Sequence, residues 1–102
     1  MQPIVFFTSD DNLTKCSGTQ NVINQFQNLN AVEQNEITDF FVYSAAHGEP
    51  GNDPDHSVSI QVDPIKYVEM DYSVSRAGDA GVAGGSLLTT YTVNELTISY
   101  PA

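Results

Sequence analysis

Between residues 57 and 74 the chain alternates. One parity reads Val58, Ile60, Val62, Pro64, Lys66, Val68, Met70, Tyr72 and Val74; the other reads Ser57, Ser59, Gln61, Asp63, Ile65, Tyr67, Glu69, Asp71 and Ser73. Side chains on a strand point alternately to opposite faces, so this segment predicts extended structure with one apolar and one polar face. A single straight strand of that length would span on the order of 55 Å. The break is expected at Asp63-Pro64, because proline cannot donate to a ladder and belongs at edges, bulges and strand starts. Either a bent edge strand or two strands joined by a kink fits. A long edge of this kind is also where another chain can add.

The remaining elements follow from shorter patterns. Residues 4–8 form an apolar, β-favouring run closed by the turn cluster Ser9-Asp10-Asp11-Asn12. Ser17-Gly18-Thr19-Gln20 has the S-x-x-Q form of a capping box, followed by Val22, Ile23, Phe26 and Leu29 at helical spacing. One amphipathic helix of about three turns is predicted there. Asn30 and Glu33 carry the same capping signal, but Ile37, Phe40, Phe41, Val42 and Tyr43 are β-branched or aromatic, and a buried strand is expected over residues 37–45. The segment 46–56 holds Gly48, Pro50, Gly51 and Pro54 and reads as a loop, as does the glycine-dense segment 77–85. Leu87, Thr89, Tyr91 and Val93 then alternate, and beyond Asn94-Glu95 the apolar phase flips to Leu96, Ile98 and Tyr100. A flip of parity requires a bulge or tight turn.

Together these predict a single domain over residues 1–102, mainly β: an antiparallel sandwich or small barrel of five to six strands with one short helix, or alternatively a helix packed on one antiparallel sheet. Alternating βα units are missing, which disfavours a parallel nucleotide-binding sheet.

Charge narrows the function classes. Thirteen acidic residues against three basic ones give a net charge of −10. Lys15, Lys66 and Arg76 cannot build the basic face that nucleic acid or an anionic membrane needs. Only 16% of residues are charged, below the roughly 25% usual in soluble domains. Most of the polarity comes from Ser, Thr, Asn and Gln, a composition suited to surfaces that neighbouring subunits cover. Cys16 is the single cysteine, so no internal disulfide forms. The opening residues lack the charged and apolar regions of a signal peptide, and no apolar run is long enough to span a membrane. Production in a cytoplasm is expected.

Candidate chemistry is sparse. Glu49, Asn52, Asp53 and Asp55 are the oxygen ligands a calcium ion would want, and His47 and His56 with a carboxylate could hold zinc. Their spacing does not match an EF-hand and the prolines restrict wrapping, so a turn-rich loop is the preferred reading and no cofactor is expected. Cys16 lies at the edge of the predicted helix but far in sequence from either histidine, and reads as a small buried hydrophobe. Gly81-Val82-Ala83-Gly84-Gly85-Ser86 has no lysine before its serine and precedes a strand, unlike a phosphate-binding loop. Glu69 and Asp71 share a strand face about 6.6 Å apart, with Asp63 farther along, a row that imitates duplex phosphates.

The expectation drawn from these features is a non-enzymatic structural or assembly protein. It would dock on or within a larger particle, such as a viral capsid decoration (cement) or tail component, with protein partners that include copies of itself. Ile65 and Tyr67, on the otherwise polar face, and a clamp formed by Gly78, Asp79, Gly81, Val82 and Gly84 are the expected contacts. An acidic nucleic-acid mimic that blocks a basic enzyme is the alternative; a calcium- or sugar-binding module is the third.

Overall fold

The computed structural model describes residues 2–47, 53–77 and 88–100, with the side chains of residues 53 and 54 left aside. The described elements run β1 (Ile4–Thr8), β2 (Thr14–Gly18), α1 (Gln20–Gln27), α2 (Ala31–Ala46), β3 (Asp53–Asp63), β4 (Lys66–Ala77) and β5 (Leu88–Ser99). The strands form one five-stranded sheet in the order β1-β2-β5-β4-β3. All neighbours are antiparallel except β2 and β5, which run parallel. Both helices lie in the β2–β3 connection. They carry the chain from one side of the sheet to its far edge, and two hairpins then return β5 to the side of β2. A mainly β fold with helices packed on a single sheet is the result.

The alternation of residues 57–74 is resolved as a hairpin. β3 and β4 pair with Val58 opposite Met70 and Ile60 opposite Val68, and the break falls at Asp63 to Lys66. Even residues pair with even residues, which is why the apolar phase survives the turn. The second phase change is also structural. Asp71 pairs with Glu95 but Tyr72 pairs with Val93, so Asn94 is the extra residue of a bulge. Both Val93 and Leu96 are thereby buried.

The sequence expectation of a strand over residues 37–45 is overturned: those residues belong to α2. The Asn30–Glu33 capping box forms, with Asn30 Oδ1 accepting from Glu33 N at 2.8 Å and Glu33 Oε1 accepting from Asn30 N at 3.0 Å. Glu33, Ile37 and Phe41, four residues apart, then share the buried face. Tertiary burial of a helical stripe overrides the β preference of individual residues. The helix after Gly18 forms as predicted, but its N-cap is Thr19, whose hydroxyl accepts from Val22 N; Ser17 and Gly18 end β2 instead. Gln34 of α2 donates to Phe26 O and Leu29 O, tying the start of α2 to the chain at the end of α1.

The core lies between the helices and one face of the sheet. It is centred on Phe41, whose ring meets Tyr91 at 4.6 Å and Tyr72 at 5.4 Å. Val22, Ile37, Val68 and Val93 are fully buried around it. Burial pushes the Tyr91 phenol upward, while hydrogen bonds with Ser44 and Arg76 act the other way. No helix among the described residues is long and apolar enough to cross a membrane.

Candidate interaction surface

The helices cover one face of the sheet, and the described residues leave the opposite face open. Three cross-strand rows run over it: Ser57–Asp71–Glu95, Ser59–Glu69–Thr97 and Gln61–Tyr67–Ser99. Ser57 Oγ donates to Asp71 Oδ1 at 2.8 Å. Ser57, Ser59, Glu69, Asp71, Glu95 and Thr97 line a shallow groove of about 390 Å³. Glu69 and Asp71 share a face as expected, and the bulge at Asn94 brings Glu95 directly opposite Asp71. Sequence reasoning did not single out Glu95. The signal was present in the parity flip at Asn94-Glu95, but its pairing partner was not. Two carboxylates directly opposite one another repel, so this corner of the sheet is electrostatically unfavourable on its own and attractive to a cationic partner.

A second surface lies at the end of the sheet where the β3–β4 turn, the end of β5 and the start of α2 meet. Lys66 Nζ sits 3.0 Å from Glu33 Oε1 and 5.8 Å from the centre of the Tyr100 ring. Glu33 is held below the usual carboxylate range by its bond from Asn30 N and by Lys66; Lys66 is raised above the usual lysine value, chiefly by Glu33. Val32 and Ile65, the chain neighbours of the ion pair, are each 67% exposed, and Tyr100 is 65% exposed. Tyr100 continues the apolar phase of Leu96 and Ile98. It lies just beyond Ser99, the last residue of β5, where the sheet no longer covers it.

Ile65 occupies the turn and not the polar face assigned to it, whereas Tyr67 stands half-buried on the open face of β4. Gly78, Asp79, Gly81, Val82 and Gly84 lie outside the described residues, as do Glu49 and Asn52. Asp53 and Asp55 fall within β3 instead of a loop, and Asp55 is exposed. Among the described residues no group of three or more His, Cys, Asp or Glu side chains could hold a metal ion. His47 and His56 belong to different elements: His47 caps α2 and stacks on Tyr43 at 4.0 Å, while His56 stacks on Tyr72 at 5.4 Å. Cys16 is fully buried, and that burial pushes its thiol up to about 12. A thiol held protonated in this way is a packing group and no nucleophile.

Comparison with protein-family models, curated proteins and solved structures found nothing that matches this chain.

Proposed function

We propose that this chain is a non-catalytic docking subunit that seats on, or packs within, a larger protein particle such as a virion, as a capsid decoration (cement) or tail component. The observation that carries the reading is the exposure of Val32, Ile65 and Tyr100, large apolar side chains each about two-thirds exposed, the first two next in the chain to the Glu33–Lys66 pair and the third with its ring 5.8 Å from Lys66 Nζ. Exposed apolar groups gathered at one place mark contact sites more often than isolated ones do. The Glu33–Lys66 pair ties the α2 start to the β3–β4 hairpin and so holds Val32 and Ile65 at the same end of the molecule. Burying these three side chains against a partner would contribute roughly 1.5–3 kcal/mol for each.

The test is binding to particles purified from the cells that make the chain. Ile65→Ser and Tyr100→Ser, each checked for an unchanged fold by circular dichroism, should reduce binding while Ser75→Ala does not. Undiminished binding by both variants would reject the apolar anchor.

The facing carboxylates Asp71 and Glu95, with Glu69 beside them, favour a second reading, an acidic mimic of nucleic-acid phosphates acting on a basic enzyme. That reading requires binding that weakens with salt, competes with DNA and is lost in the combined Glu69→Gln, Asp71→Asn, Glu95→Gln variant. Docking through the apolar end is indifferent to that variant.

A further inference from the structure

The sheet ends on two strands, β1 and β3, which differ in how they are guarded. Proteins protect exposed edges with short strands, proline, lysine, bulges or inward-pointing charges. β1 is five residues long, follows Pro3 and breaks register between Val5 and Phe7. β3 is eleven residues long and, among the described residues, pairs only with β4. From Ser57 to Gln61 its register is unbroken, and that stretch carries no proline and no charged side chain. On its helix side Val58 and Ile60 pack on the core but are only half-buried. Every second residue of an antiparallel strand aims its N–H and C=O away from the strand it pairs with, so this edge offers main-chain groups to a sixth strand.

The open face runs from that edge straight into the acidic groove. Ser57 and Ser59 of β3 stand before Asp71 and Glu69 of β4, with Glu95 and Thr97 of β5 beyond them, and all six are exposed. Ser57 Oγ donates to Asp71 Oδ1 at 2.8 Å, which turns that carboxylate towards β3. A strand added to β3 would lie about 10 Å from β4, two strand spacings away. A lysine or arginine on its open-face row can cross the small side chains of Ser57 and Ser59 and place its cation among Glu69, Asp71 and Glu95. That cation offsets the repulsion between the facing Asp71 and Glu95.

We infer that β3 accepts an extended basic segment of a partner protein as a sixth strand. Its lysine or arginine side chains enter the groove on the open face, and its alternate, apolar side chains cover Val58 and Ile60. Main-chain pairing supplies affinity and the alternation of side chains supplies specificity. A second copy of this chain does not meet the requirement. Its own edge strands, β1 and β3, contain no Lys or Arg, and it brings a further net charge of −10. The site is separate from the apolar end and stands whether or not that end docks on a particle. The phosphate-mimic reading uses the same carboxylates but needs no β3 edge, so the two are separable.

The test titrates the full chain with a capped octapeptide of alternating lysine and valine, followed by NMR. Binding should slow hydrogen exchange of the β3 amides between Ser57 and Gln61. The same peptide N-methylated at every residue keeps its charge but cannot donate to a ladder, and should bind at least about tenfold more weakly. The combined Glu69→Gln, Asp71→Asn variant, altered only at exposed side chains, should also lose about tenfold, while Ser75→Ala binds as the natural chain does. No binding at millimolar peptide would overturn the inference. Equal binding of the N-methylated peptide would overturn strand addition and leave a purely electrostatic face, as the phosphate-mimic reading requires. Protection of the β3 amides that grows with chain concentration without peptide would give the edge to a second copy and overturn the basic partner. Failure of peptide binding with particle binding intact overturns this inference and leaves the docking reading in place; peptide binding by a chain that seats on no particle does the reverse.

Discussion

Lys66 Nζ lies 3.0 Å from Glu33 Oε1, joining the first residue of β4 to the first turn of α2. At the other end of β4, Arg76 Nη1 donates to Ala45 O at 3.2 Å and to Thr89 Oγ1 at 3.0 Å. Two of the three basic residues in the chain therefore hold the two ends of one helix against one strand. Their role in the fold explains their presence in so acidic a sequence.

The ion pair has a pH signature. Glu33 is depressed in the folded state, so its contribution is present above the unfolded carboxylate value and is lost as pH falls through the folded one. Lys66 is raised, so its contribution is present below the unfolded lysine value and is lost as pH rises through the folded one. The Tm difference between the natural chain and Lys66→Met should hold steady across ~pH 6–9 and close towards both extremes. Glu33→Ala, which also removes the acceptor for Asn30 N, should lower Tm further than Glu33→Gln. A thermal denaturation series in pH checks both.

Gly18 ends β2 where α1 crosses it. A Cβ built there would sit 2.7 Å from Val22 Cγ1 and 3.3 Å from the Val93 carbonyl oxygen. Neither neighbour can retreat easily, since Val22 and Val93 are fully buried. Gly18→Ala should cost about 1–3 kcal/mol by overpacking. The shift in the urea midpoint measures it, and an unchanged midpoint would contradict the close approach.

The carboxylates of the open face predict the opposite sign. Removing one of two like charges that stand directly opposite should stabilise the sheet, so Glu95→Gln should gain about 0.2–1 kcal/mol. Added salt should raise the Tm of the natural chain more than that of the variant. A gain in stability accompanied by a loss of binding would show that the face is kept acidic for a partner.

Cys16 should react with a thiol reagent only when the chain opens. Its thiol is buried and pushed to about 12, so the native form offers almost no thiolate at neutral pH. The modification rate should follow the unfolded population through a urea titration. Rapid reaction without denaturant would place Cys16 elsewhere.

The sequence announced those elements whose signal is local. Alternation over residues 57–74 marked extended structure and its inner face but left one bent strand and two strands both open, which pairing across the turn settles as a hairpin. The parity flip at Asn94-Glu95 marked a bulge or a tight turn, of which the bulge forms. Two elements were hidden by competing signals. Ser17 to Gln20 resembles a helix cap, which masked β2, a strand of small and polar residues whose burial comes from neighbours far along the chain. Ile37 to Tyr43 favours a strand residue by residue, and only packing of Ile37 and Phe41 under the sheet decides for helix. The apolar end was half legible: Ile65 was expected on the surface, whereas the exposure of Val32 and Tyr100 depends on where α2 begins and β5 stops. The facing of Asp71 and Glu95 is a tertiary fact, set by the register of β4 against β5.

Whether this chain works as part of a particle is tested most directly by its own sedimentation. A lysate of the producing cells, run on a density gradient and probed for the chain, should place it with particles far larger than its own 11.1 kDa, at a fixed ratio to their other proteins. Ile65→Ser and Tyr100→Ser should shift it to the top of the gradient. A natural chain found only at the top, as free monomer or dimer, would contradict the docking account.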